Sequence, residues 1–278
     1  MTYCVGIEVQ EGLVLASDTR TSASFDDVRS HRKMHTFQIE GERVFVVMSA
    51  GNLATTQLTI SRLQHDMDAD DGRPCLRTFT HLYQAAEYIG EVLAASQVRV
   101  SADAASAGVS VQSTLILGGQ IAGERPGLYM IHPLGNAIAA SPETPYLQIG
   151  ETKYGKPNLD RMLVTQMSLG DAARCALVSL DSTIRSNLSV GTPIDLAIIR
   201  AGDLRISYQS RLYDDTPLLA RIRDEWGQRL ANAVRALPRF DLEAARSATA
   251  RDTPLMLLPV APPLPSMNPQ RPPGNPGQ

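Results

Sequence analysis

The chain is poor in the features that mark several large protein classes. Its 278 residues hold three cysteines, Cys4, Cys75 and Cys175, odd in number and far apart. A disulfide framework needs dense, even sets and a zinc site needs close pairs, so the three are expected to be buried, inert thiols. There is one tryptophan, and aromatics make up 5% of the chain. Charge of one sign is also missing: a formal net charge of -3 gives no attraction to nucleic acid or to an anionic membrane. No apolar run approaches the roughly 20 residues of a membrane-spanning helix. The opening MTYCVGIEVQEG lacks a basic segment and reaches an acid at Glu8, unlike a secretory signal, so a cytoplasmic location is expected. Neither standard glycine-rich phosphate loop is present, which excludes the common nucleotide-binding motifs.

Two clusters look like metal sites and fail on inspection. His31 and His35 are four apart, but Arg32 and Lys33 stand where a metalloprotease needs a glutamate on a helix. Asp66, Asp68, Asp70 and Asp71 suggest a calcium loop, yet Gly72 falls one place late and Arg77 occupies the position of the closing glutamate. A solvated interhelical loop fits better, and no metal or cofactor is expected.

What is present is a regular succession of strands and helices. Tyr3–Val9 and Leu13–Ala16 read as a hairpin about Glu11-Gly12, and a polar loop runs from Thr19 to Ser30. A second hairpin pairs Met34–Ile39 with Arg43–Met48. Helices follow at Leu53–Met67, with Leu53, Thr56, Ile60, Leu63 and Met67 on one stripe, and at Arg77–Val98, with Phe79, Leu82, Tyr83, Ala86, Ile89 and Leu93 inward. Strands return at Ser113–Leu117, Gly127–Ile131 and Tyr146–Ile149, then helices at Tyr154–Val164 and Leu169–Asn187. Strands at Ile194–Arg200 and Leu204–Ser207 and an amphipathic helix at Pro217–Leu237 complete the set; that helix carries Leu218, Ile222, Trp226, Leu230 and Val234. Runs of strands alternating with helix pairs predict an α+β fold of antiparallel sheets between helix layers, not a doubly wound parallel sheet. After Arg251 the composition changes: half of the 18 prolines fall in the last 25 residues. Residues 2–250 are expected to form one domain and 251–278 a disordered, solubilising tail, in which Pro262-Pro263-Leu264-Pro265 alone looks like a peptide ligand.

The chemistry-bearing candidate is Thr2. Removal of the initiator methionine ahead of a small residue leaves a terminal threonine, which carries a hydroxyl nucleophile and a free α-amine together. That amine has an unperturbed pKa of about 7.7–8, so it can take the hydroxyl proton near neutral pH. On its own such a threonine signifies little.

The surrounding residues carry more. A strand pair from the terminus, then Ala16-Ser17-Asp18-Thr19-Arg20, the basic His31-Arg32-Lys33-Met34-His35 entering a strand, and Ala50-Gly51 opening a helix together resemble proteasome β-subunits and their bacterial relatives. The resemblance runs from Thr2 to about Ser207 and is nearest to the ancestral β-subunit (Anbu) group of N-terminal nucleophile hydrolases. It implies a four-layer α-β-β-α sandwich of two antiparallel sheets, and a threonine-type peptide hydrolase built from identical subunits in a ring or related assembly. It implies Thr2 as nucleophile, Lys33 as the charge that lowers the α-amine pKa, Asp18 as its partner, the Gly51 N–H as oxyanion donor, and Ser189 as a hydroxyl near the amine. Ser22, Ser49 and Gly51 are implied to border a peptide or unfolded protein bound as an added strand. Departures are the Asp18-to-Lys33 spacing, one residue short, Glu151 in place of a serine after Ile149-Gly150, and Ser186 in place of an aspartate. These leave a small-substrate amidase or acyl-transferase, and an inactive assembly subunit, as alternatives.

Overall fold

A computed structural model describes residues 2–22, 28–69, 72–104 and 110–238. The expected boundary at 250 and the tail 251–278 lie outside the described residues. The chain divides into two compact units, Met1–Leu230 and Ala231–Gln278. Of the second, the described residues are the exposed last turns of a helix and the few residues after it.

In the first unit, strands β1 (Tyr3–Val9), β2 (Gly12–Asp18), β10 (Tyr146–Gly150), β11 (Ile194–Arg200) and β12 (Tyr208–Leu212) form an antiparallel sheet in the order β10-β1-β2-β11-β12. A second antiparallel sheet runs in sequence order through β5 (Met34–Ile39), β6 (Arg43–Gly51), β7 (Ser113–Ile121), β8 (Gly127–Ile131) and β9 (Ala137–Ala139). A small hairpin of β3 (Arg20–Ser22) and β4 (Val28–Ser30) stands apart, inside the stretch expected to be loop.

Side-chain alternation along the strands builds three cores from two sheets. On β1, Tyr3, Val5, Ile7 and Val9 face helices α3 (Lys156–Met162) and α4 (Leu169–Ser186), joining Ala172, Cys175, Ala176 and Leu180. On β6, Phe45 and Val47 face helices α1 (Leu53–Ala69) and α2 (Leu82–Ala104), joining Leu63, Ile89 and Leu93. The opposite faces meet each other: Cys4, Leu13 and Leu15 pack against Val44, Val46, Met48 and Ile116. The result is the expected four-layer sandwich, helices outside and two sheets within. All three cysteines are free and buried.

Four expectations need correction. The strand placed at Leu204–Ser207 lies at Tyr208–Leu212, because Leu204 has a left-handed backbone (φ 50°) and residues 201–207 make the turn. Helix α2 starts at Leu82, where Gln84 Oε1 accepts the N–H groups of Thr80 and His81 and closes the first turn. That phase turns Tyr83 outward, 49% exposed, and puts Ala85 inside. Helix α3 is shorter than expected, starting at Lys156 with Pro157 in its first turn. In helix α5 (Pro217–Arg235) Leu219 is the buried residue, whereas Leu218 and Leu230 are exposed. Asp66 and Asp68 belong to α1, while Asp70 and Asp71 lie outside the described residues. Among the described residues no helix is long and apolar enough to cross a membrane.

Candidate active site

Thr2 precedes β1 and inherits its position from that strand, which is hydrogen-bonded on both sides by β10 and β2. The Thr2 carbonyl accepts the Glu151 N–H at 2.8 Å. Tyr3 is fully buried and anchors the strand start twice. Its N–H donates to Asp18 Oδ1 at 3.0 Å, and its hydroxyl pairs with Ser179 Oγ at 2.6 Å and with the Gln148 amide. Burial pushes the Tyr3 hydroxyl up to about 12, against the opposing pull of those two partners.

Asp18 ends β2 opposite Ile194 of β11, and this register brings the α4–β11 connection onto its carboxylate. Oδ1 accepts the Lys33 ammonium at 2.7 Å and Oδ2 accepts the Gly191 N–H at 3.3 Å. Lys33 Nζ also donates to the Arg20 carbonyl at 2.6 Å. The carboxylate is fully buried and the lysine nearly so. Burial pushes the Asp18 carboxyl up, and the Lys33 charge and the two N–H donors oppose it. An ion pair this deep has its desolvation offset only by such close partners, so the pair is tightly positioned rather than strongly stabilising. The Lys33 carbonyl accepts the Ser49 N–H at 3.0 Å, fixing the lysine to β6.

Gly51 ends β6 with φ +121°, and a Cβ there would stand 2.4 Å from the Gln112 carbonyl oxygen. Only glycine fits that backbone. Asn52 follows and accepts the Thr55 N–H at 3.1 Å, capping α1, so strand end and helix start meet here. Thr2, Lys33, Ser49, Gly51, Gly150 and Glu151 all line one cleft of about 610 Å³.

The fold therefore gathers Thr2, Asp18, Lys33, Ser49 and Gly51 into one site, with Asp18 behind the cleft wall. Ser22 ends β3, its side chain outside the described residues. Ser189 does not line the cleft: its hydroxyl and N–H both donate to Asn187 Oδ1, at 2.6 and 3.0 Å. Its loop touches the site through Gly191 instead, stapled by Arg20, which donates to the Leu188 carbonyl at 2.9 Å. Ser186 is an exposed residue at the end of α4. Sequence reasoning gave no role to Tyr3, Gly150 or Gly191: Tyr3 anchors by its N–H and its hydroxyl, Gly191 by its N–H, and Gly150 by its close approach to the Thr2 main chain. It also passed over Thr21 and His35 as cleft residues, although the alternation His31, Lys33, His35 into a strand puts all three on one side. Among the described residues no group of three or more His, Cys, Asp or Glu could hold a metal ion.

Neither a protein-family model nor a curated protein matches the chain. Solved structures do. Anbu (ancestral β-subunit) from Yersinia bercovieri is 44% identical over 86% of this chain and 99% of its own, with a TM-score of 0.80. Anbu from Pseudomonas aeruginosa, solved as a helical assembly, is 42% identical over 86% and 98%, with a TM-score of 0.81. Anbu from Hyphomicrobium sp. strain MC1 is 41% identical over 86% and 99%, with a TM-score of 0.76. Identity of this order across nearly the whole of each relative shows that the chain belongs to the Anbu (ancestral β-subunit) family.

Proposed function

We propose that this chain is a threonine-type peptide hydrolase of the bacterial cytoplasm, active once Met1 is removed and built from identical subunits. The observation that carries the reading is the buried Asp18–Lys33 pair, 2.7 Å apart, behind a cleft that Thr2 and Gly51 line. Two of the three Lys33 N–H bonds are taken by Asp18 and the Arg20 carbonyl, which leaves one donor for the nucleophile.

In the reaction, the Thr2 α-amine takes the hydroxyl proton as Oγ attacks the peptide carbonyl. Lys33 lowers the amine pKa by like-charge repulsion, keeping a neutral fraction to accept that proton. The Gly51 N–H receives the oxyanion. Collapse breaks the C–N bond, the leaving amine takes up the proton, and an ester on Thr2 remains. Water, deprotonated by the same amine, then hydrolyses the ester and restores Thr2 Oγ–H.

Assembly from identical subunits is carried over from the Pseudomonas aeruginosa relative, described as a helical assembly. A second reading is favoured by Glu151, which lines the cleft at a position where a serine is usual in the wider family. It narrows the substrate to a small amide while keeping the chemistry of Thr2. An inactive subunit is disfavoured by the intact Asp18, Lys33 and Gly51.

The test is a peptide epoxyketone probe on purified protein, followed by mass spectrometry of the N-terminal peptide. The expected result is loss of Met1, a probe adduct on Thr2, and no adduct in Lys33→Ala. A mature chain that still begins with Met1 sinks the reading. Turnover of small amides without cleavage of unfolded protein selects the second reading.

A further inference from the structure

We propose that the cleft beside Thr2 selects substrates with a carboxylate side chain immediately before the scissile bond. The inference rests on the hydrolase reading for what Thr2 does, and on the cleft itself for what it binds.

The segment entering β5 supplies the wall. His31, Arg32, Lys33 and His35 all line the cleft, four basic residues within five positions. Their charges are not equally available. Lys33 is committed to Asp18 at 2.7 Å. Arg32 is exposed, and its charge reaches both this cleft and the adjoining one at Asp195. Among the described lining residues the one carboxylate is Glu151, 3.9 Å from Lys153 Nζ. With Lys33 balanced by Asp18 and Glu151 facing Lys153, Arg32, whose charge is shared with Asp195, is the remaining permanent cation among the described lining residues. Thr21, Thr56 and Gln57 add neutral hydrogen-bonding groups, and Ser49 keeps the cleft open because its side chain is small.

His35 sharpens the selection. Burial, then the Arg32 charge, hold its imidazole below the usual histidine range, so it enters the cleft neutral. An arriving carboxylate opposes both effects, accepts a hydrogen bond and favours the imidazolium. A lysine or arginine side chain meets Arg32 as a like charge, and a leucine leaves these polar groups without partners.

The experiment measures binding apart from chemistry. Fluorescein-labelled tripeptide amides differing only in the last side chain, Glu, Gln, Leu or Lys, are titrated against full-length Thr2→Ala protein by fluorescence anisotropy. Glu and Gln have the same shape, so their ratio reads charge alone. The Glu peptide is expected to bind on the order of tenfold more tightly than Gln. The ratio is expected to fall below about threefold with Arg32→Gln added, and to fall partly with His35→Gln. Equal binding of Glu and Gln, tighter binding of Leu or Lys, no binding of any peptide, or a ratio unmoved by Arg32→Gln overturns the proposal. Wild-type protein is then assayed on the same peptides carrying a C-terminal fluorogenic amide. Cleavage favouring Leu leaves the hydrolase reading standing and removes the acidic preference. Selective Glu binding with no cleavage and no probe adduct keeps the subsite and removes the hydrolase reading.

Discussion

The Cα of Gly150 rests against the main chain of Thr2 so closely that a Cβ added there would stand 1.9 Å from the Thr2 carbonyl oxygen. Gly150 also has a left-handed backbone, φ +86°, which costs a non-glycine residue on the order of 1 kcal/mol by itself. Gly150→Ala therefore has to move Thr2 as well as bear strain. Its expected cost is at least about 2 kcal/mol, a drop in Tm of roughly 4–8 °C. Displacement of a nucleophile by about 1 Å costs on the order of a hundredfold in rate, so probe labelling of Thr2 should slow by at least tenfold. Gly41→Ala is the control: φ is +75° but nothing lies within 4 Å, so it should lower Tm slightly and leave labelling unchanged. Equal behaviour of the two variants would remove Gly150 from the positioning of Thr2.

The Asp18–Lys33 pair makes a prediction about stability that runs against its short distance. Lys33→Ala strands a buried carboxylate and Asp18→Leu strands a buried ammonium, each at a cost of about 3–5 kcal/mol. The double variant Asp18→Leu/Lys33→Met removes both charges and should be more stable than either single variant, although inactive. Urea unfolding of the three proteins checks this. A double variant as unstable as the sum of the singles would show that the two charges do not couple and that each holds the fold through its other contacts.

Tyr3→Phe isolates the second anchor of the strand. It leaves buried Ser179 Oγ without the Tyr3 hydroxyl and the half-buried Gln148 amide without that acceptor. The expected loss is about 1–3 kcal/mol. The main-chain N–H of Tyr3 keeps its bond to the Asp18 carboxylate, so the labelling rate at saturating probe should change by less than about threefold. A labelling defect larger than the Gly150→Ala defect would assign Tyr3 a direct part in the chemistry.

His35 sets an acid limit. Its folded pKa lies below the unfolded value of 6.5, so between the two the unfolded chain holds a proton that the folded chain does not. Stability from this group is complete above pH 6.5 and is lost as pH falls through that window towards the folded pKa. Thermal unfolding followed between pH 7.5 and 5 should therefore show a steeper fall in Tm for wild type than for His35→Gln, which cannot titrate. Parallel curves would remove His35 as the source of the slope.

Much of the fold is legible in the sequence where burial repeats with the period of the backbone. Strands β1, β2 and β6 lie inside the sandwich with both faces covered, so their apolar runs are dense and bounded by turn residues. Strand β12 is not legible: Tyr208–Leu212 is an edge strand with one buried residue, and the apolar Leu204 and Ile206 beside it mislead. Strands β3 and β4 are short and polar and draw their order from pairing with each other, a non-local fact. The site divides in the same way. Thr2, Asp18, Lys33 and Gly51 are legible because their side chains, or the lack of one, carry the pattern. The contacts that hold them, from Tyr3, Gly191 and Glu151, go through main-chain N–H groups that every residue type shares.

The way β1 begins bears on how the protein is to be handled. Tyr3 has no exposed surface, and Thr2, one residue earlier, already borders the cleft. An affinity tag or cloning remnant fused ahead of Thr2 would start at the cleft and tie up the α-amine that the proposed chemistry requires. Such a preparation is expected to be inert towards the probe, whereas a tag at the far end of the chain leaves that amine free.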